Sequence, residues 1–141
     1  GGTYTIVLEL EAGTTIEFGA AGQRGLDPGW YAYTGSAFGP GGLSRVDRHR
    51  RVFSGANDTH HWHIDYLLGA PQTQWVDVRS TPADAECEIA KALPGASIEG
   101  IGATDCDCGS HLTAVESRDR LLEELDRQYG GQSTAIHFDG D

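Results

Sequence analysis

The sequence contains a single lysine, only three cysteines and no long apolar segment, and each shortage narrows what the protein can be. No apolar run approaches the roughly 18 residues that a bilayer requires, so no membrane span and no membrane partner are predicted. Three cysteines cannot all pair, which argues against a disulfide framework and favours a reducing, cytoplasmic setting. With 38% apolar residues and 20 glycines, the composition is that of a packed domain.

The scarcity of lysine accompanies a large excess of acidic residues. Asp and Glu total 21 against 10 Lys and Arg, giving a formal net charge of −11. A surface rich in Asp and nearly without Lys is typical of halophilic adaptation, in which molar salt screens the self-repulsion. The alternative is an ordinary acidic cytosolic protein. On the halophilic interpretation, the negative charge does not exclude a nucleic-acid partner.

Basic residues are concentrated in one segment. Four arginines fall within seven positions, interrupted by Asp47 and flanking His49. They are Arg45, Arg48, Arg50 and Arg51. Arginine binds phosphate through its planar guanidinium, so the cluster predicts an anion site. The alternative is a solvated helix face paired with nearby carboxylates.

The hydrophobic pattern predicts one α/β domain of the α+β type over residues 1–141. Its small mixed or antiparallel sheet begins with a β-hairpin and is flanked by helices. Strands are expected at residues 3–10, 14–18, 30–37, 74–79 and 134–138, with a loop at 19–29. Helices are expected at residues 43–52, 60–68 with Asp58 or Thr59 as cap, 82–93 and 116–128. For residues 60–68 a strand is the alternative. Thr81 as N-cap with Pro82 and Asp84 after it marks the start of the third helix.

Two short tyrosine motifs stand in an informative order with later charged residues. GTY occupies residues 2–4 and YTG residues 33–35, followed by Arg45 and His49 one helical turn apart and by Glu86 on a later helix. This order resembles the GIY-YIG nuclease superfamily. The strings YTGSAFGPGGL, HWHIDYLL, ECEIA and DCDCGSHL look like a largely archaeal branch of it, some of whose members are fused to a DNA-repair glycosylase. The resemblance covers about residues 2–113 and leaves 114–141 as a C-terminal helix and closing strand.

The sequence departs from the family pattern in its spacing. A predicted strand and a Gly-rich loop separate the two tyrosine motifs more widely than is usual in these nucleases, and residues 39–42 lengthen the approach to Arg45. No asparagine matches the one that often follows the glutamate helix.

The resemblance implies a catalytic set for phosphodiester hydrolysis. Arg45 would bind the scissile phosphate, Glu86 would hold Mg²⁺ or Mn²⁺, and Tyr4 would be the general base. Tyr33 and His49 complete the set, with His49 orienting Tyr33 or touching phosphate. Further substrate contacts are expected from four residues: Gly35, Ser36, Arg48 and Arg51. Each of these roles has an alternative. The two tyrosines could simply pack within their strands, His49 could lie on the helix surface, and Glu86 could be a surface acid without a metal-binding role.

A second group of residues raises a different chemistry. Cys106, Cys108 and His111 stand close together, and Cys87 precedes them. Two thiolates and an imidazole are zinc ligands, with Cys87, His63 or Asp105 as a fourth. The spacing matches no strong zinc template, so small buried residues that close the core are the alternative, and a Cys–His nucleophile is a further one.

These observations favour a metal-dependent DNA endonuclease that acts on damaged or branched DNA. The DNA substrate comes from the resemblance alone. Two alternatives remain open: a nucleic-acid-binding module that keeps the scaffold without catalysis, and a zinc-stabilised interaction domain. The cofactor expected is Mg²⁺ or Mn²⁺, with zinc as a separate hypothesis, and the sequence leaves the oligomeric state undecided.

Overall fold

The computed structural model describes residues 2–37, 44–56, 63–98, 100–101 and 111–130. Within these ranges the chain forms seven strands and four helices. The strands are β1 (Thr3–Leu10), β2 (Thr14–Glu17), β3 (Gln23–Leu26), β4 (Gly29–Ser36), β5 (Thr73–Thr81), β6 (Ala96–Ser97) and β7 (Leu112–Val115). The helices are α1 (Ser44–Ser54), α2 (His63–Leu68), α3 (Glu86–Ala92) and α4 (Arg118–Gln128).

Five strands form one antiparallel sheet in the order β5-β1-β4-β7-β6, while β2 and β3 form a separate two-stranded sheet. The predicted α+β class, with an antiparallel sheet flanked by helices, is confirmed. β1 pairs along its whole length with both β4 and β5. Seven of its eight residues are buried, as expected for a strand covered on both faces.

The two faces of the sheet support two hydrophobic cores. Because side chains alternate along a strand, β1 sends Ile6 and Leu8 into the larger core, which it shares with α1, α2 and the β2–β3 hairpin. Val7 points to the other face, where it packs with Leu121 and Leu125 of α4 in the smaller core. Helices on both faces therefore hold β1 and β4 rigidly in the middle of the domain.

The β2–β3 hairpin accounts for the wide spacing between the tyrosine motifs. It is inserted between β1 and β4, which are antiparallel partners, so the two motif-bearing strands remain neighbours. The loop predicted at 19–29 is wrong in part, because Gly19–Ala21 forms a 3-10 turn and Gln23–Leu26 forms β3. Glycines suggested a loop, but pairing with β2 and burial of Phe18 and Leu26 in the larger core stabilise a strand.

The third helix begins later than predicted. The Thr81 and Pro82 signal placed its start at residue 82, whereas α3 begins at Glu86 and has Ala85 as its N-cap. Thr81 instead ends β5, paired with Thr3 of β1. The Thr3 hydroxyl donates to the Ala83 carbonyl oxygen at 2.8 Å and accepts from the Ala85 amide at 3.0 Å. These tertiary contacts override the capping signal and place Glu86 beside the end of the sheet.

The remaining elements agree with the prediction only in part. α4 confirms the last predicted helix, and its N-cap Ser117 accepts a hydrogen bond from the Arg120 amide at 3.3 Å. The short strands β6 and β7 were not predicted. The expected strand at 134–138 and the expected caps Asp58 and Thr59 lie outside the described residues.

Of the helices that the structure describes, none is long and apolar enough to cross a membrane.

Candidate active site

The residues predicted to be catalytic lie together at one end of the main sheet. Tyr4 stands near the start of β1, and residues 33–36 form the end of β4. The register pairs Tyr4 with Gly35, so the two tyrosine motifs lie side by side. The first turns of α1 and α3 bring Arg45 and Glu86 to this same end.

Close packing explains the glycine in each motif. A Cβ on Gly35 would lie 2.5 Å from the hydroxyl oxygen of Tyr4, and a Cβ on Gly2 would lie 2.2 Å from the carbonyl oxygen of Thr81. Both distances are shorter than real Cβ contacts. Gly35 therefore lets the phenol of Tyr4 cross β4, a packing role beside the substrate contact predicted for it.

The phenol of Tyr4 contacts a buried histidine of α1. Tyr4 Oη and His49 Nε2 are 2.9 Å apart, and the two side chains are 2% and 3% exposed. The ring of Tyr33 meets the His49 ring edge-on, with centroids 5.9 Å apart. The predicted proximity of His49 to Tyr33 is thus present, and its surface alternative is wrong because His49 is buried.

Asp65 of α2 lies on the far side of His49. It was not among the predicted site residues. Its Oδ1 is 3.8 Å from His49 Nδ1, and Nδ1 has no hydrogen-bond partner among the described residues. Asp65 is fully buried and accepts two hydrogen bonds from Arg48, at 3.1 and 2.9 Å. Burial of a carboxylate is costly without such a partner, so Arg48 allows Asp65 to stay charged next to His49.

Burial sets the protonation of this group. It lowers the pKa of His49, an effect that outweighs the opposite influence of Asp65, and Arg48 and Arg45 lower it further. Burial also raises the pKa of Tyr4 well above its usual range. Both groups are therefore neutral at pH 7. Because Nδ1 faces a carboxylate, we assign the proton to Nδ1, which leaves Nε2 to accept from the Tyr4 hydroxyl.

Arg45 belongs to the first turn of α1, and its side chain contacts the end of β4. Its Nη1 donates to the carbonyl oxygen of Ser36 at 2.9 Å, which fixes the guanidinium at the end of β4. Its positive charge lowers the pKa of Tyr4, whereas the charge of Glu86 raises it. An arginine and a carboxylate thus act on the same hydroxyl from within the site.

The other arginines of α1 point in different directions. Arg48 turns inward to Asp65, while Arg51 pairs with Asp47 on an open helix face and is 49% exposed. Arg50 lies over the rings of Phe53 and Trp75, 5.1 and 5.2 Å from their centroids. The four side chains do not converge on one point, since successive helix positions diverge by about 100°, and the pairs Arg48–Asp65 and Arg51–Asp47 agree with the alternative of arginines paired with carboxylates. Arg45 alone of the four reaches the end of the sheet.

A cluster of metal-ligating side chains lies at the start of α3. His111 Nε2 is 3.4 Å from Glu86 Oε1, and the donor atoms of Glu86, Cys87 and His111 all lie within 4.8 Å of one another. The cluster combines the ligand predicted for Mg²⁺ with two residues of the zinc set. The other zinc residues, Cys106 and Cys108, lie outside the described residues, as does Asp105, and His63 is not part of the cluster.

Comparison with known families gives this arrangement a context. The model of the family "Domain of unknown function DUF123" matches residues 3–133, nearly the whole chain. The protein belongs to the DUF123 family. DUF123 is a GIY-YIG-like family, in agreement with the order of motifs on the paired strands. No curated protein and no solved structure matches this chain.

In this DUF123 domain the residues predicted to be catalytic converge, although they are far apart in sequence. Sequence reasoning missed Asp65 and the pairing of His111 with Glu86. No local pattern marked Asp65, because it lies on a different helix from His49 and its burial is known only from the structure. The place of His111 likewise depends on a long-range contact, the pairing of β7 with β4.

Proposed function

We propose that this DUF123 protein is a metal-dependent endonuclease that hydrolyses phosphodiester bonds in DNA. The observation that carries the proposal is the 2.9 Å contact between Tyr4 and His49, at a point where the charges of Arg45 and Glu86 both act on the phenol. Membership of a GIY-YIG-like family supports the same activity.

Tyr4 acts in this proposal as a proton relay rather than as a resident phenolate. Its raised pKa keeps the hydroxyl protonated, and the lowered pKa of His49 keeps Nε2 available as an acceptor. An attacking water gives its proton to the oxygen of Tyr4 while Tyr4 passes its own proton to Nε2. The charge that develops on His49 is then stabilised by Asp65, 3.8 Å from Nδ1.

Arg45 supplies positive charge for the phosphate. The guanidinium is held by the Ser36 carbonyl oxygen at the end of β4. A planar donor placed next to the relay neutralises the non-bridging oxygens as negative charge accumulates in the transition state. Ser36 and Gly35 border the same position and are the proposed substrate contacts of β4, whereas Arg48 and Arg51 remain predictions.

Glu86 is the residue that would hold the divalent ion. It stands in the first turn of α3, is 17% exposed at its side chain, and acts electrostatically on Tyr4. A carboxylate of this kind suits Mg²⁺ or Mn²⁺, which commonly use one or two protein carboxylates together with substrate oxygens. When bound, the ion supplies Lewis-acid stabilisation of the phosphate and the leaving oxygen.

The proposed substrate is damaged or branched DNA, on the strength of the family resemblance. At a net charge of −11, long-range attraction to phosphate is absent, so recognition depends on local contacts at the sheet end. The proposed location is the cytoplasm.

Strand cleavage tests this function directly. Labelled duplex, single-stranded and branched DNA are incubated at high KCl with Mg²⁺, with Mn²⁺ or with a chelator. Cleavage should require metal and disappear in Glu86→Gln, while Glu88→Gln, an exposed substitution on the same helix, keeps wild-type activity.

The same assay separates catalysis from binding. Arg45→Ala should lower cleavage by at least about 100-fold, because it removes one preorganised donor at the phosphate. Arg24→Ala, on β3, is the matched control. Folded protein that binds DNA but cleaves none of the substrates would contradict the endonuclease and support the non-catalytic binding module.

A further inference from the structure

The metal-ligating cluster at the start of α3 consists of Glu86, Cys87 and His111, and its donor atoms do not suit Mg²⁺. Mg²⁺ is bound by oxygen atoms, whereas this cluster adds a thiol and an imidazole to one carboxylate. Thiolate and imidazole favour ions such as Zn²⁺, whereas carboxylate, carbonyl and water oxygens favour Mg²⁺. The chemistry of the side chains therefore points away from an all-oxygen site.

The spacing of the donors agrees with this chemistry. His111 Nε2 and Glu86 Oε1 are 3.4 Å apart, which is long for a direct hydrogen bond. Two ligands about 2.1 Å from one tetrahedral zinc ion are separated by about 3.4 Å. The thiol of Cys87 lies within 4.8 Å of both atoms, so the three donors surround one point.

His111 is also held in place before any ion arrives. Its backbone amide donates to the Ile101 carbonyl oxygen at 2.8 Å, and its own carbonyl oxygen accepts from the Thr34 amide at 3.0 Å. The side chain is 2% exposed. A ligand fixed in this way loses little conformational freedom on binding a metal ion.

We propose that Glu86, Cys87 and His111 form one three-ligand site for Zn²⁺, placed beside Tyr4 at the end of the sheet. Three protein donors are the number found in catalytic zinc sites, which keep one position open to a non-protein ligand. In this proposal Zn²⁺ takes the place given above to Mg²⁺ or Mn²⁺ at Glu86, and one centre stands where the sequence predicted two, one for Mg²⁺ and one for structural zinc. Only the catalytic use of the ion rests on the proposed endonuclease activity.

Cobalt substitution tests the site without any DNA. The full chain is freed of metal with a chelator and titrated with Co²⁺ alone, and then with Zn²⁺ as competitor. The expected result is a thiolate-to-cobalt charge-transfer band that saturates at one equivalent and is displaced by Zn²⁺ but not by excess Mg²⁺. A titration that gives no charge-transfer band would overturn the proposal.

Variants assign the ligands. Cys87→Ser should abolish the band, and Glu86→Gln and His111→Gln should each weaken Zn²⁺ binding by at least about tenfold, since even the loss of an outer-sphere partner costs 10- to 100-fold. Glu88→Gln and His63→Gln are the matched controls. A double variant, Cys106→Ala with Cys108→Ala, should keep the band. Persistence of the band without Cys87, or its loss in the double variant, would contradict the assignment.

Metal binding and cleavage can fail independently. A protein that binds Zn²⁺ at these three residues but cleaves no DNA would leave this site intact and reject the endonuclease. A protein that cleaves DNA with Mg²⁺ and shows no thiolate band would reject only this site. Circular dichroism of each variant separates the loss of a ligand from the loss of the fold.

Discussion

At the scale of single residues, the candidate site depends on a polar series that runs from Tyr4 through His49 and Asp65 to Arg48. Tyr4 is hydrogen-bonded to His49 and Asp65 to Arg48, which matters because a buried polar group without a partner costs about 1–3 kcal/mol. Asp65 has to be charged to balance Arg48, and His49 has to be neutral to accept from Tyr4. This interdependence makes the site sensitive to pH.

Stability should fall in acid because of His49. Its pKa in the folded protein is below the unfolded value of about 6.5, so the unfolded chain binds the proton more readily. The contribution of His49 is complete above that pH and is lost as the pH falls towards the folded pKa, with a slope of at most about 1.4 kcal/mol per pH unit. Urea unfolding across this range should show a steeper loss for wild type than for His49→Gln. Equal slopes for the two proteins would contradict the assignment.

Gly35→Ala should disable the site through sterics alone. The added Cβ would lie 2.5 Å from Tyr4 Oη, so the phenol has to move and its contact with His49 breaks. We expect a loss of about 1–3 kcal/mol in unfolding free energy together with loss of cleavage. Gly25→Ala on β3 has nothing within 4 Å of the new Cβ and should leave both unchanged. Wild-type cleavage by Gly35→Ala would show that Tyr4 can be displaced without harm.

At the scale of elements, sequence information was sufficient where a segment was long and its pattern regular. β1, β4 and β5 were predicted to within two residues, because each is eight or nine residues long and rich in β-branched and aromatic residues. β7 has only four residues and exists as a strand because the edge of β4 accepts it. The start of α3 was misplaced because the deciding contacts come from Thr3, more than 80 positions away in the sequence.

The same limit applies to the candidate site. The residue types and their order identified Tyr4, Arg45 and Glu86, but the partner of His49 had no local signal, because Asp65 belongs to another helix. Long-range pairing selects which acid, among 21, becomes part of the site.

The inserted hairpin is an integral part of the fold. Phe18 is fully buried in the larger core, with Ile16 and Leu26 beside it. Phe18→Ala should cost about 3–5 kcal/mol by denaturant unfolding, because it empties a fully buried position of the larger core. Thr15→Ala, exposed on β2, is the control. A cost below about 1 kcal/mol for Phe18→Ala would mean that the hairpin is a peripheral appendage.

At the scale of the whole molecule, charge rather than packing distinguishes this protein. A net charge of −11 in 141 residues destabilises the compact state through self-repulsion, unless salt screens it. Arginine supplies nearly all the positive charge, and the side chains of Arg48 and Arg79 are committed to carboxylates within the fold. The 10 cationic side chains cannot neutralise the 21 acidic ones.

Thermal stability should therefore rise with KCl. Between about 0.1 M and 1 M the Debye length falls from about 10 Å to 3 Å, which removes most of the repulsion between surface carboxylates. Tm measured by circular dichroism at pH 7 should increase over this range. Near the sequence pI of about 4.8 the net charge vanishes, so the same salt series should leave Tm nearly unchanged. A Tm at pH 7 that is independent of KCl would contradict the halophilic interpretation.

The central claim is that Tyr4 relays a proton during DNA cleavage. Its most direct test compares the single-turnover cleavage rates of two variants, Tyr4→Phe and Tyr31→Phe. Both substitutions remove one hydroxyl from a buried, hydrogen-bonded tyrosine, Tyr4 bonded to His49 and Tyr31 donating to the Asp27 carbonyl oxygen at 2.6 Å. If Tyr4 relays the proton of the attacking water, its variant should cleave at least about 100-fold more slowly, whereas Tyr31→Phe keeps the wild-type rate. Equal cleavage by the two variants would contradict the role assigned to Tyr4 and with it the proposed mechanism.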